Sequence, residues 1–210
     1  MNEALILIDL QYDFMPGGAL PVAEGDKVVP VANRIAKHFG LVVATQDWHP
    51  ANHGSFASQH PGKKPGEVID LNGLQQVLWP DHCVQGSKGA EFHRDLDRSR
   101  IARVFQKGVD PEIDSYSGFY DNGHRRGTGL AEYLRSRGVT DVTICGLATD
   151  YCVKYSVLDA LRLGFKATVV EDACRGVNLE PHDSENALAE MRAAGARIVD
   201  SDRVGAVASS

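Results

Sequence analysis

With 210 residues, 43% of them hydrophobic and 24% charged, the chain can bury a sizeable core, which excludes a disordered or fibrous architecture and fits one domain over 1–210. The formal charge of −6 is modest, and Lys and Arg fall in scattered pairs such as Lys63-Lys64 and Arg125-Arg126, so neither nucleic acid nor an anionic membrane is an expected partner. Met1-Asn2-Glu3-Ala4 opens directly into a short apolar run, and the four cysteines contain no C-x-x-C pair, so we expect no export signal, no membrane span and reduced thiols in a cytoplasmic protein.

Short aliphatic runs alternate with longer amphipathic segments, the pattern of βαβ units. In chain order the spacing predicts a strand from Ala4 to Leu10, a helix from Lys27 to Phe39 and a strand from Leu41 to Gln46. An irregular segment from His49 to His93 follows, rich in Pro, Gly, His and Asn, in which only Leu71 to Leu78 offers a short helix. Beyond it come a strand at Arg103 to Lys107, a helix at Gly129 to Arg137 and a strand at Asp141 to Cys145. A helix at Thr149 to Leu163, a strand at Ala167 to Glu171, a helix at Asp183 to Ala194 and a strand at Arg197 to Val199 complete the series. Gly40, Gly138, Gly164 and Gly195 are expected helix C-caps. The strands are continuous apolar runs, as strands covered on both faces require, so the fold class is α/β, a three-layer α/β/α sandwich on a parallel sheet of unspecified strand order.

Ligands of open α/β sheets bind beyond the carboxyl ends of the strands. Asp9 closes the first predicted strand and Lys107 the third, and an Asp–Lys pair at one sheet edge keeps both groups ionised and oriented. In Asp47-Trp48-His49 the two outer side chains share one face of an extended segment and can hold one ion. A carboxylate with imidazoles suits Zn or Fe better than Mg or Ca. Of the downstream donors His53, His60, His82 and His93, we choose His82, in Trp79-Pro80-Asp81-His82-Cys83-Val84, and expect the others to be exposed loop residues. Cys152 follows a small-residue turn and opens a helix, where free amides and the helix dipole favour a thiolate and could receive an oxyanion at Ala148 and Cys152. Cys83, Cys145 and Cys174 are read as inert buried thiols.

Together, Asp9, Lys107 and Gly146-Leu147-Ala148-Thr149-Asp150-Tyr151-Cys152-Val153 resemble the nicotinamidase branch of the isochorismatase-like cysteine hydrolases. The blocks Ile8-Asp9-Leu10-Gln11-Tyr12-Asp13-Phe14, Thr45-Gln46-Asp47-Trp48-His49-Pro50, Trp79 to Val84 and Asp114-Ser115-Tyr116-Ser117-Gly118-Phe119 agree with it. The resemblance implies a six-stranded parallel sheet, a cis Leu147-Ala148 peptide and a triad of Asp9, Lys107 and Cys152. It also implies one divalent metal ion, Zn with Fe or Mn as alternatives, held by Asp47, His49 and His82 with water, and Ser55 rather than His53 at a fourth position. Phe14, Trp79 and Tyr116 would pack on the ring of a small heteroaromatic carboxamide, nicotinamide and also pyrazinamide, in NAD salvage, and a homo-oligomer is left open.

Overall fold

The computed structural model describes residues 2–205, so residue 1 and residues 206–210 of the 1–210 domain reading lie outside the described residues. Strand β1 (Glu3–Ile8) is buried from Ala4 onward, and β2 (Val42–Asp47) is buried throughout. Two short strands, β3 (Val68–Leu71) and β4 (Leu74–Val77), pair antiparallel in the irregular segment. β5 (Ile101–Lys107), β6 (Asp141–Leu147), β7 (Lys166–Arg175) and β8 (Arg197–Val199) complete a parallel six-stranded sheet in the order β5-β2-β1-β6-β7-β8. Each fully buried Leu or Ile of β1 contributes roughly 1.5–3 kcal/mol of transfer free energy, which is why the continuous apolar runs become central strands.

Four helices connect the strands: α1 (Val28–Ala36), α2 (Leu130–Ser136), α3 (Lys154–Arg162) and α4 (Asp183–Ala193). From β1 the chain steps through β2 to β5, and from β6 it steps the opposite way through β7 to β8. Parallel crossovers are right-handed, so these opposite directions place α1 on one face and α3 and α4 on the other, giving the three layers. Arg135 of α2 donates to Leu163 O at the end of α3, so α2 joins the second face. The reversal of direction opens a crevice between the carboxyl ends of β1 and β6, the topological switch point at which open α/β sheets bind ligands.

Several expectations change. The proposed helix at Leu71 to Leu78 is instead the turn and second strand of the β3–β4 hairpin. Asn72 and Gly73 both have positive φ, 52° and 86°, and an Asn-Gly pair in that conformation matches strand twist, a local turn signal that outweighs apolar spacing. Gly138, Gly164 and Gly195 take the left-handed conformation after α2, α3 and α4. Gly40 does not, because α1 ends earlier, with Lys37 at its C-cap. Cys174 lies inside β7 rather than after it. Among the described residues no helix is long and apolar enough to cross a membrane.

Candidate active site and metal centre

Asp9 stands one residue past β1 at φ 50°, which turns the chain out of the sheet at the switch point and leaves its carboxylate buried. Thr45 Oγ1 donates to Asp9 Oδ1 at 2.6 Å. Lys107, the last residue of β5, is paired in register with Asp47, the last of β2, and its ammonium reaches Asp47 Oδ1 at 2.5 Å, Ser115 O at 2.9 Å and Cys152 Sγ at 3.4 Å. Those partners use the donors of an ammonium. Asp9 Oδ2 lies 2.9 Å from the same nitrogen but off hydrogen-bond alignment, so a buried carboxylate oxygen keeps an unused lone pair. Donor atoms of Asp9, Asp47 and Cys152 all lie within 4.8 Å of one another, which puts the Asp9 carboxylate within short reach of the thiol.

Burial is the largest influence on every member of this cluster. It lifts the Asp9 carboxyl above the ordinary carboxylate range against the pull of Lys107. At Asp47, Lys107 and His49 outweigh burial and hold the carboxyl well below that range. At Lys107 burial would strip the proton, but Asp47 and Asp9 together keep the ammonium charged, well above its usual range. The Cys152 thiol is pushed well up by burial, with Lys107 opposing and Asp9 and Asp47 adding to the rise. Burial beside two carboxylates thus opposes the pull of the helix start toward a thiolate, so a base must take the thiol proton as it reacts.

The thiol's local setting also differs from expectation. Cys152 lies in a π-helical turn, Thr149–Val153, rather than in the first turn of α3. Tyr151 N and Val153 N both donate to Ala148 O at 3.1 Å, a bonding pattern that does not draw on Ala148 N or Cys152 N, the two amides expected to meet an oxyanion. The Leu147-Ala148 peptide is cis, as the resemblance implied. Phe14, Trp79 and Tyr116 line the cleft over Cys152 together with Leu20, Asp114, Tyr151 and Val177, which the sequence reading did not single out. Tyr116 is fixed by donors on both sides, Trp79 Nε1 at 3.2 Å and Gln76 Nε2 at 3.0 Å. Burial pushes the Cys83 and Cys145 thiols well up and that of Cys174 to about 12, consistent with inert packing.

Asp47, His49 and His82 converge beside this cleft, all buried. His49 Nδ1 donates to Gly108 O and His82 Nδ1 to Pro80 O, both at 2.8 Å, because a carbonyl can only accept. The Nε2 atoms are thereby left as lone-pair donors, 3.5 and 3.7 Å from Asp47 Oδ2. Ligands held at about 2.0–2.2 Å on one tetrahedral ion stand roughly 3.3–3.6 Å apart, so the three fit a divalent cation. Such an ion would also offset the excess negative charge of Asp9 and Asp47 over Lys107. Gly108, at φ 64°, is required here, since a Cβ would run into the His49 ring.

Gln11 clamps Asp47 from behind: Nε2 donates to Asp47 O and Oε1 accepts from Asp47 N, each at 2.8 Å. Replacing Gln11 by Ala is expected to weaken metal binding by about 10- to 100-fold, the usual cost of losing an orienting partner, as read by titration of the apo protein with Zn. His53, expected to be exposed, is fully buried with its ring 4.4 Å from that of His49. Its Nδ1 accepts from Ser55 N at 3.2 Å and meets Ser55 Oγ at 2.7 Å, so the proton is on Nε2, which is buried without a partner. Burial lowers its pKa to about 4, which keeps the ring neutral. His60 and His93 are only partly buried and stand outside the donor cluster.

The isochorismatase domain model matches residues 3–203. The chain belongs to the isochorismatase family. Among curated members it is 55% identical over 200 residues to the nicotinamidase of Escherichia coli K12, covering 93% of each chain. Among solved members, a nicotinamidase/pyrazinamidase of Acinetobacter baumanii superposes with a TM-score of 0.93 at 47% identity, over 96% of this chain and 97% of that one. A pyrazinamidase of Pyrococcus horikoshii solved in complex with zinc matches with a TM-score of 0.77 at 43% identity, over 95% and 99% of the two chains. The zinc complex of the Pyrococcus horikoshii pyrazinamidase agrees with a divalent-metal site at the donor cluster of Asp47, His49 and His82.

Proposed function

We propose that the chain is a nicotinamidase, hydrolysing nicotinamide to nicotinate and ammonia through a thioester on Cys152, and that it deamidates pyrazinamide as well. The observation that carries this reading is the shared cleft: Cys152, backed by Asp9 and Lys107, and the donors Asp47 and His82, backed by His49, line the same aromatic-walled space. Thiol chemistry and a ring-positioning ion thus face one small ligand.

Asp9 Oδ2 takes the thiol proton as Cys152 Sγ attacks the carboxamide carbon, and returns it to the nitrogen that leaves as ammonia. Ala148 N and Cys152 N receive the oxyanion, each such donor being worth about 3–4 kcal/mol in comparable hydrolases. Asp9 then deprotonates the water that cleaves the thioester, and Lys107 holds Asp9 in place between Thr45 and the thiol. A metal at Asp47, His49 and His82, Zn in preference to Fe or Mn, would supply a Lewis-acid contact for the pyridine nitrogen. Phe14, Trp79 and Tyr116 pack against the ring. Ser55, whose amide and hydroxyl meet His53 Nδ1, would take the fourth position beside the ion directly or through water, and His53 Nε2 is left as an unpartnered buried donor next to His49. The free thiols, none of them paired, suit the reduced cytoplasmic setting in which we place this step of NAD salvage.

The deciding experiment measures ammonia and nicotinate from nicotinamide beside ammonia from N-carbamoyl compounds, with the bound metal quantified. Release from the N-carbamoyl compounds alone would move the chain to the related carbamoyl amidases. Chelation is expected to abolish nicotinamide binding, followed by calorimetry, while circular dichroism stays native; normal binding by metal-free protein would defeat the positioning role.

A further inference from the structure

Asp150, two residues before the nucleophile and 5% exposed, has no part in the proton transfers assigned to Asp9. Both of its carboxylate oxygens are spent on the loop that follows β7: Oδ1 accepts from Val177 N at 2.9 Å and Oδ2 from Asn178 N at 2.7 Å. Bonds from amides to a buried carboxylate are roughly twice as strong as neutral ones, so this is a firm tether between the nucleophile's turn and that loop. Val177 itself is half-buried and lines the cleft shared by Cys152, Trp79 and Tyr116.

The other side of the loop is tied to α4. Asn178, at φ 51°, accepts from Ser184 N in the first turn of that helix through its Oδ1. At Gly176 a Cβ would collide with Ser184 Oγ and come within 3.2 Å of Asp150 Oδ1, so the backbone is fitted closely between the two anchors. The position of Val177 relative to the thiol is thus set by Asp150 from one side and by α4 from the other.

We infer that Asp150 is a positioning residue that fixes Val177 as one wall of the ring cleft, and that Val177 determines which ring-substituted heteroaromatic amides are accepted. The inference rests on the amidase reading above. It separates two properties that a purely structural Asp150 would not: ring recognition, which depends on the wall, and thiol reactivity toward small electrophiles, which does not.

Asp150→Ala is expected to raise KM for nicotinamide about tenfold or more while kcat stays within about threefold, because positioning of the ring is lost and the thiol chemistry is kept. Asp150→Asn, which retains one acceptor oxygen, should fall between. Alkylation of Cys152 by iodoacetamide, followed by mass spectrometry, should proceed at a rate within about threefold of wild type in Asp150→Ala, the margin allowed for indirect effects. Val177→Ala should raise kcat/KM for 5-methylnicotinamide relative to nicotinamide by about tenfold, the scale of one methyl group in an apolar pocket. An unchanged KM in Asp150→Ala, alkylation and kcat falling together, or an unchanged ring preference in Val177→Ala would each overturn the inference while leaving the amidase reading intact. A wild-type protein that released no ammonia from either amide would overturn both.

Discussion

Cys152→Ala is expected to lower ammonia release from nicotinamide by roughly 10⁴-fold or more, since an enzyme deprived of its nucleophile keeps only what binding and oxyanion donors supply. The same change should leave stability within about 1 kcal/mol of wild type, because the thiol faces the cleft and its removal leaves no charge unpaired. Lys107 would lose a 3.4 Å contact to sulfur and retain Asp47, Asp9 and Ser115 O. Nicotinamide should still bind to the metal-loaded variant, since ring and metal contacts are untouched. Urea denaturation, calorimetry and a discontinuous ammonia assay on one preparation read all three outcomes. Turnover within tenfold of wild type would rule out the thioester route, and the unused lone pair of Asp9 would then have to serve a water instead.

The central strands were legible from sequence because burial on both faces imposes continuous apolar runs, as at β1, β2 and β6, whereas the edge strands β5 and β8 are only partly buried and were placed within a few residues by the βα alternation. The candidate triad and metal residues stood out in different ways: Asp9, Asp47 and Lys107 sit at or just past a strand's carboxyl end, whereas His49, His82 and Cys152 belong to the segments that follow β2, β4 and β6. What sequence could not supply was register. Nothing in Gln46-Asp47 or Gln106-Lys107 announces that these strand ends lie side by side, so Lys107 was expected against Asp9 alone, whereas it also meets the candidate metal ligand Asp47. The contact makes one buried ammonium common to the proposed base and the proposed ion site. Val177 escaped for a related reason: its place in the cleft depends on Asp150, 27 residues earlier, and no local pattern carries such a pairing. His53 was misjudged because loop histidines are usually solvated, and only the folded loop reveals the Ser55 amide that fixes its tautomer.

Lys107→Met keeps side-chain length and apolar stem but deletes the charge, and it is expected to destabilise the protein by about 3–5 kcal/mol, the usual cost of removing one partner from a buried ion pair. In the metal-free protein two carboxylates would remain in a dry site without the ammonium that compensates both, Asp9 keeping only the neutral donor Thr45 Oγ1. Activity should fall by roughly 10³-fold or more, because the orientation that aims Asp9 at the thiol is lost. The two effects have separable causes. Adding Asp9→Asn to Lys107→Met removes the uncompensated charge, so the double variant should recover part of the lost stability in urea titrations while recovering none of the activity, since the base is gone. A single variant as stable as wild type, or a double variant no more stable than the single, would show that the cluster is not held together by charge compensation. If instead the double variant regained turnover, proton transfer would have to bypass Asp9, and Cys152 would need another base within reach of its sulfur.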